Sequence, residues 1–107
     1  MPERDPAPRR SEVWLAHLDK VRPVIVLTRD PMGALLNSVI VAPVTSRVRG
    51  LSTEIPVGPD DGIRLDSVVN LDHLQLLPRA KLLRRVGRAR PETMTSVCRA
   101  IDVAIDC

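Results

Sequence analysis

Up to Arg90 the apolar residues of this chain come in short runs bounded by turn residues, and only from Pro91 do they recur at helical spacing. That pattern argues against a helical bundle and calls for several short strands followed by one helix. EVWLAHL (12–18) and PVIVLTR (23–29) read as the first two strands, joined by a connection, 19–22, short enough for a hairpin. DPMGALLN (30–37) carries turn chemistry at both ends. SVIVAPVTS (38–46) is a third strand, and Pro43 inside it demands a bulge or an edge position, because proline cannot donate to a ladder. STEIPV (52–57) and SVVNL (67–71) are the fourth and fifth, separated by the loop GPDDGIRLD (58–66). LQLLP (74–78) supplies a short strand or turn, and PRAKLLRRVGR (78–88) one helical turn followed by a strand. Met94, Val97, Cys98, Ile101, Ala104 and Ile105 then follow i, i+3, i+4, i+7 spacing. Proline at the first helical position and Glu92 in the first turn are its start signals. The expected fold is mainly β with a C-terminal helix, a small and strongly curved sheet or partial barrel with the helix packed on it.

A chain of 107 residues is expected to form one domain. Its opening, MPERDPAPRR, is charged and rich in proline, and reads as a flexible arm (1–10) before a single domain (11–107). No stretch approaches the roughly 18 unbroken apolar residues of a membrane span, so no membrane partner is expected. Trp14 is the lone aromatic residue. The core must therefore be aliphatic, and a nucleic-acid site cannot rely on a row of stacking rings. The net charge of +3, from 16 basic and 13 acidic residues, suits a polyanion partner without requiring one. Cys98 and Cys107 fall in one predicted helix, about 13–14 Å apart, too far for a disulfide. They read as free thiols of a protein from a reducing compartment.

Chemistry is sparsely marked. There is no CxxC or HExxH, and His17 and His73 lie far apart in the chain, so no metal or cofactor is expected. Asp60, Asp61 and Asp66 share a loop without calcium-loop spacing. No glycine-rich phosphate loop or nucleophile elbow is present. Arg79, Lys81, Arg84, Arg85, Arg88 and Arg90 form a run without an acid, which suits a solvated face as well as a phosphate-binding one. KVRPVIVLTRD (20–30) is the most pointed segment. Proline at 23 pushes Arg22 into an extended backbone and suits the first residue of a strand, while Val24 to Leu27 bury and anchor the base. A permanent cation is thereby held at the lip of a buried strand.

RRSEVWLAHLD, VRPVIVLTRD, NSVIVAPVTS, GLSTEIPV, DSVVNLDHLQLL and LLRRVGR occur in that order from about Arg9 into the terminal helix. The ordered set resembles the MazF/PemK family of toxin–antitoxin ribonucleases. The resemblance implies an SH3-like sheet of the kind shared with the CcdB toxins, a homodimer, and a cytoplasmic toxin that arrests growth. It further implies metal-independent cleavage of single-stranded RNA (mRNA, tRNA or rRNA) to 2′,3′-cyclic phosphate and 5′-hydroxyl ends, and inhibition by a MazE-like antitoxin with an acidic segment. The family's catalytic arginine and threonine fall on Arg22 and Thr45. Lys20, Ser46, Arg47, His73 and Gln75 are the expected substrate contacts, and His17 is a candidate acid or base. Two departures stand out: Ser11 replaces a glycine usual in the opening motif, and the connection before Arg22 is shorter than the loop many relatives carry there. Rival readings are a CcdB-like gyrase-binding toxin, disfavoured by the non-aromatic ending AIDC, and a non-catalytic nucleic-acid-binding β-barrel.

Overall fold

The computed structural model describes residues 7–30 and 36–105, with side chains through Asp102. Seven strands form one antiparallel sheet: β1 (Glu12–His17), β2 (Val21–Val26), β3 (Ser38–Thr45), β4 (Glu54–Val57), β5 (Ser67–Asn70), β6 (Gln75–Pro78) and β7 (Leu82–Arg88). Their order is β4-β5-β3-β2-β1-β7, with β6 also pairing β3. The path ends at β4 and β7, β6 pairs with β3 alone among the described strands, and the sheet does not close into a barrel. Among the described residues one α-helix, α1 (Pro91–Ile105), follows the last strand and packs against β4 and the 3-10 turn Leu71–His73. The turn expected across 30–37 lies largely outside the described residues.

Central strands are buried on both faces, which is why their sequences read as continuous apolar runs rather than alternating ones. Val13, Ile25, Ala42 and Val44 face a cluster completed by Val97 and Ala100 of α1. Trp14, Val24, Val26, Val39 and Val41 form a second cluster with Leu77. The helix buries Thr93, Val97 and Ala100, whereas Cys98, expected on that face, is exposed. The buried stripe is rotated toward Ala100, and Cys107 lies outside the described residues.

Strand β2 begins two residues before Pro23, because the β1–β2 ladder runs on through Ala16↔Arg22 and His17↔Val21 into a tight turn where the Leu18 N–H donates to the Lys20 carbonyl. Pro23 is thus the third residue of its strand. The Leu27 N–H donates to the Ile40 carbonyl, so by the alternation of an antiparallel ladder the nitrogen of residue 23 also faces β3. The β2–β3 ladder stops one pair short of it, at Val24↔Pro43. By the same alternation the nitrogen of Pro43 faces away from β2. There, the partner of β3 changes from β6, whose ladder ends at Val41↔Gln75, to β5, whose ladder begins at Val44↔Val69. Neither proline leaves a donor missing from a formed ladder, so Pro43 needs no outer edge. Together they mark the point beyond which the ends of β2 and β3 take different partners.

Two buried carboxylates fasten the periphery. Asp61 has no exposed surface; its oxygens accept the Arg90 N–H (2.9 Å), the Thr93 hydroxyl (2.8 Å) and the Gly58 N–H (3.3 Å), tying the loop after β4 to the start of α1. Burial pushes its pKa upward, but these donors and the Arg90 guanidinium outweigh burial and hold it below the ordinary value. Glu12 does the same for the basic strand β7, accepting from Arg85 at 2.9 Å and lying 3.7 Å from Arg88. Loop and strand touch directly, since a Cβ added at Gly87 would stand 2.6 Å from the Gly62 Cα.

Pro8 is buried, and Arg10 donates from its backbone to Asp30 and from its guanidinium to the Leu27 carbonyl, so residues 8–10 are tied to the sheet. Ser11, at the position where the resemblance leads one to expect glycine, has a φ of 74°. Its N–H donates to the Val26 carbonyl and its carbonyl accepts from the Ala89 N–H, so the turn is fixed on both sides. The left-handed region costs an L-residue about 1–2 kcal/mol, partly offset by the greater flexibility that glycine loses on folding. Ser11→Gly is therefore expected to stabilise the protein by about 0.5–1 kcal/mol. Thermal melts check this; an unchanged or lower midpoint would contradict it.

Candidate active groove

Where β2 and β3 part, an open groove of about 750 Å³ forms. Arg22 enters it from β2 and Thr45 from the end of β3. Lys20, Ser46, Arg47, His73 and Gln75 also line it, so the expected catalytic pair and all five expected substrate contacts share one concavity. His17 is exposed on β1 and is not among the lining residues.

Arg22 is held side-on. Its Nε and Nη2 donate to the two oxygens of Asp19 at 3.1 and 3.3 Å. Hydrogen bonding from Arg22 holds the Asp19 carboxyl below its ordinary pKa, and the same bond raises that of Arg22. A guanidinium has five N–H groups, so the end-on pair at Nη1 and Nη2 stays available for a second, bidentate anion. The tight turn at 18–20 carries Asp19, and Leu18, Asp19 and Lys20 line the groove wall.

Thr45 is fixed from the other side. Its Oγ1 accepts the Arg47 N–H at 3.1 Å. With a lone pair of the hydroxyl engaged, its proton is left to donate to a ligand. The following residues, 46–52, are exposed and carry Arg47 and Arg49 along the groove. Glu54 anchors that segment from β4 by accepting the Arg49 and Leu51 N–H groups at 2.9 and 3.1 Å.

Four cations (Lys20, Arg22, Arg47, Arg49) face two carboxylates (Asp19, Glu54) in the lining, a balance that favours a polyanion. Asp19, Arg49, Glu54 and Asn70 were not anticipated. Only Asp19 left a local signal, three residues before Arg22. The basic run of residues 79–90 contributes nothing to the groove: Arg85 and Arg88 face Glu12, and Arg90 pairs with Asp61. Among the described residues no three His, Cys, Asp or Glu side chains gather as a metal site.

A small antiparallel sheet with a C-terminal helix, opening a cationic groove between two diverging strand ends, defines a β domain suited to a polyanion. Over residues 9–105 the sequence matches the family described as the PemK-like, MazF-like toxin of type II toxin–antitoxin systems, and the chain belongs to that family. It is 40% identical to the probable endoribonuclease MazF5 of Mycobacterium tuberculosis, with 94% of each chain covered. Its fold is similar to that of the Mycobacterium tuberculosis toxin MazF-mt6, with a TM-score of 0.86 at 40% identity over 89% of this chain and 96% of that one. A mycobacterial endoribonuclease solved in complex with its cognate antitoxin is 25% identical, with a TM-score of 0.86 over 94% of this chain and 96% of that one.

Proposed function

We propose that this chain is the toxin of a type II toxin–antitoxin pair, acting in the cytoplasm as a metal-independent endoribonuclease on single-stranded RNA. The convergence of the Arg22 end-on fork and the Thr45 hydroxyl in one cationic groove carries the reading. The ribose 2′-oxygen bonds to the adjacent phosphorus as its proton leaves to a base. The bond to the 5′-oxygen then breaks, and that oxygen takes up a proton. Negative charge grows on the non-bridging oxygens, where Arg22 and Thr45 donate more strongly to the transition state than to the substrate. Lys20, Arg47 and Arg49 hold flanking phosphates. The short turn at 18–20 leaves the groove uncovered, which suits loops of folded RNA such as tRNA. Purified protein incubated with RNA in EDTA is expected to give discrete bands. Intact RNA, or cleavage only after a divalent metal is restored, would contradict the reading.

The same groove suits the acidic segment of an antitoxin that orders on binding. A small domain also gains from burying apolar surface in a homodimer. Antitoxin affinity is expected to fall steeply with salt while light scattering shows a dimer at micromolar concentration. A salt-independent complex or a monomer would remove the corresponding part.

No helix among the described residues is long and apolar enough to cross a membrane.

A further inference from the structure

One oxygen in the groove is used by neither the proposed chemistry nor the fold. Glu54 heads β4 with 7% of its surface exposed. Its Oε1 takes both N–H groups of the segment it anchors, while Oε2 lies out of contact with solvent and has no hydrogen-bond partner. Burial pushes the carboxyl toward its neutral form, but the Leu51, Arg49 and Gly50 N–H groups and the Arg49 charge outweigh burial and keep its pKa low. An ionised oxygen without a donor is costly, and folded proteins pair nearly all such atoms. Anchoring the 46–52 segment through the Arg49 and Leu51 N–H groups needs only Oε1, so the second oxygen is left over.

The residue opposite completes a pattern. In the β4–β5 ladder Glu54 pairs with Asn70, so the two side chains rise from the same face with Cβ atoms about 4.5–5.5 Å apart. The Asn70 Oδ1 accepts the Asp72 N–H at 3.0 Å, which commits that oxygen and leaves the NH2 group to donate. Both residues line the groove that holds Arg22 and Thr45. A phosphate does not fit beside an anionic Glu54, and the four groove cations already serve that need. A nucleobase supplies the complement: its Watson–Crick edge sets an N–H donor beside an acceptor, in an order and spacing that differ between bases, and single strands expose that edge.

We propose that Glu54 Oε2 and the Asn70 NH2 group form an acceptor–donor pair that reads the Watson–Crick edge of one base in the bound RNA. The proposal rests on the RNA-cleaving reading and deepens it. It makes Glu54 a specificity-determining residue, and it gives a reason for single-strand preference, since a paired base has no free edge to offer. Because Oε2 is covered in the free protein, contact with the base requires the exposed 46–52 segment beside the pair to shift.

The test is cleavage of a randomised single-stranded RNA pool by the wild type, Glu54→Gln and Asn70→Asp, with the cut sites sequenced. Glutamine keeps a carbonyl for the Arg49 and Leu51 N–H groups but offers donors where Oε2 stood. Aspartate keeps the acceptor for Asp72 and loses the donor. Both variants are expected to stay active and to change preference on the order of tenfold at the same single position relative to the cut, leaving other positions as they were. If Glu54→Gln fails to fold by thermal melt, Asn70→Asp carries the test alone. An unchanged site profile in a folded variant overturns the base-reading pair while leaving the ribonuclease reading intact. A wild type that cleaves none of the pool overturns both.

Discussion

Arg22→Lys is expected to bind RNA nearly as well as the wild type and to cleave it about 10²–10³ times more slowly, the scale of losing one preorganised oxyanion donor. Lysine keeps the charge, so the attraction of the groove for phosphates persists. It loses the planar fork, and with it the arrangement in which one edge is held by Asp19 while the other addresses the phosphate. An ammonium is a point charge with rotating donors and cannot do both in fixed geometry. Because Arg22 lies at a strand end on the groove surface, its replacement should leave folding intact. Single-turnover cleavage and RNA binding measured on one preparation separate the two effects. Near wild-type cleavage would remove Arg22 from the chemistry.

Thr45→Ala should lose a comparable factor, on the order of 10²-fold, and Thr45→Ser much less, because serine retains the donating hydroxyl. The Arg47 N–H orients that hydroxyl, so alanine also frees the start of the 46–52 segment. Serine can accept the same bond. The serine variant therefore separates loss of the hydroxyl from loss of the β-branched shape. Equal rates for the alanine variant and the wild type in single-turnover cleavage would count against the assignment, whatever the serine variant did.

Much of the fold was legible in local chemistry. Proline at 91 followed by glutamate announced the helix start, and the runs at 38–46 and 67–71 became β3 and β5 with their ends moved by one residue. The start of β2 was misjudged because a proline in third position looks impossible until the neighbouring ladder is known to stop short of it. Cys98 fits the helical spacing of the apolar residues, yet the buried positions of the helix are Thr93, Val97 and Ala100. The site was half legible. Arg22 and Thr45 came through the family resemblance, and their approach depends on two prolines that the sequence does display. Glu54 and Asn70 are 16 positions apart and meet only through the register of β4 with β5, which no local pattern encodes. The basic run stayed open between two readings for the same reason, since Glu12 lies 73 positions from Arg85.

The most direct measurement is the chemistry of the RNA ends left by purified protein in EDTA, compared with Arg22→Lys under identical conditions. Attack by the 2′-hydroxyl on a phosphorus held by Arg22 and Thr45 predicts 2′,3′-cyclic phosphate and 5′-hydroxyl ends, appearing far more slowly in the variant. Fragments bearing 5′-phosphate ends, or the same ends formed at the same rate by Arg22→Lys, would contradict it.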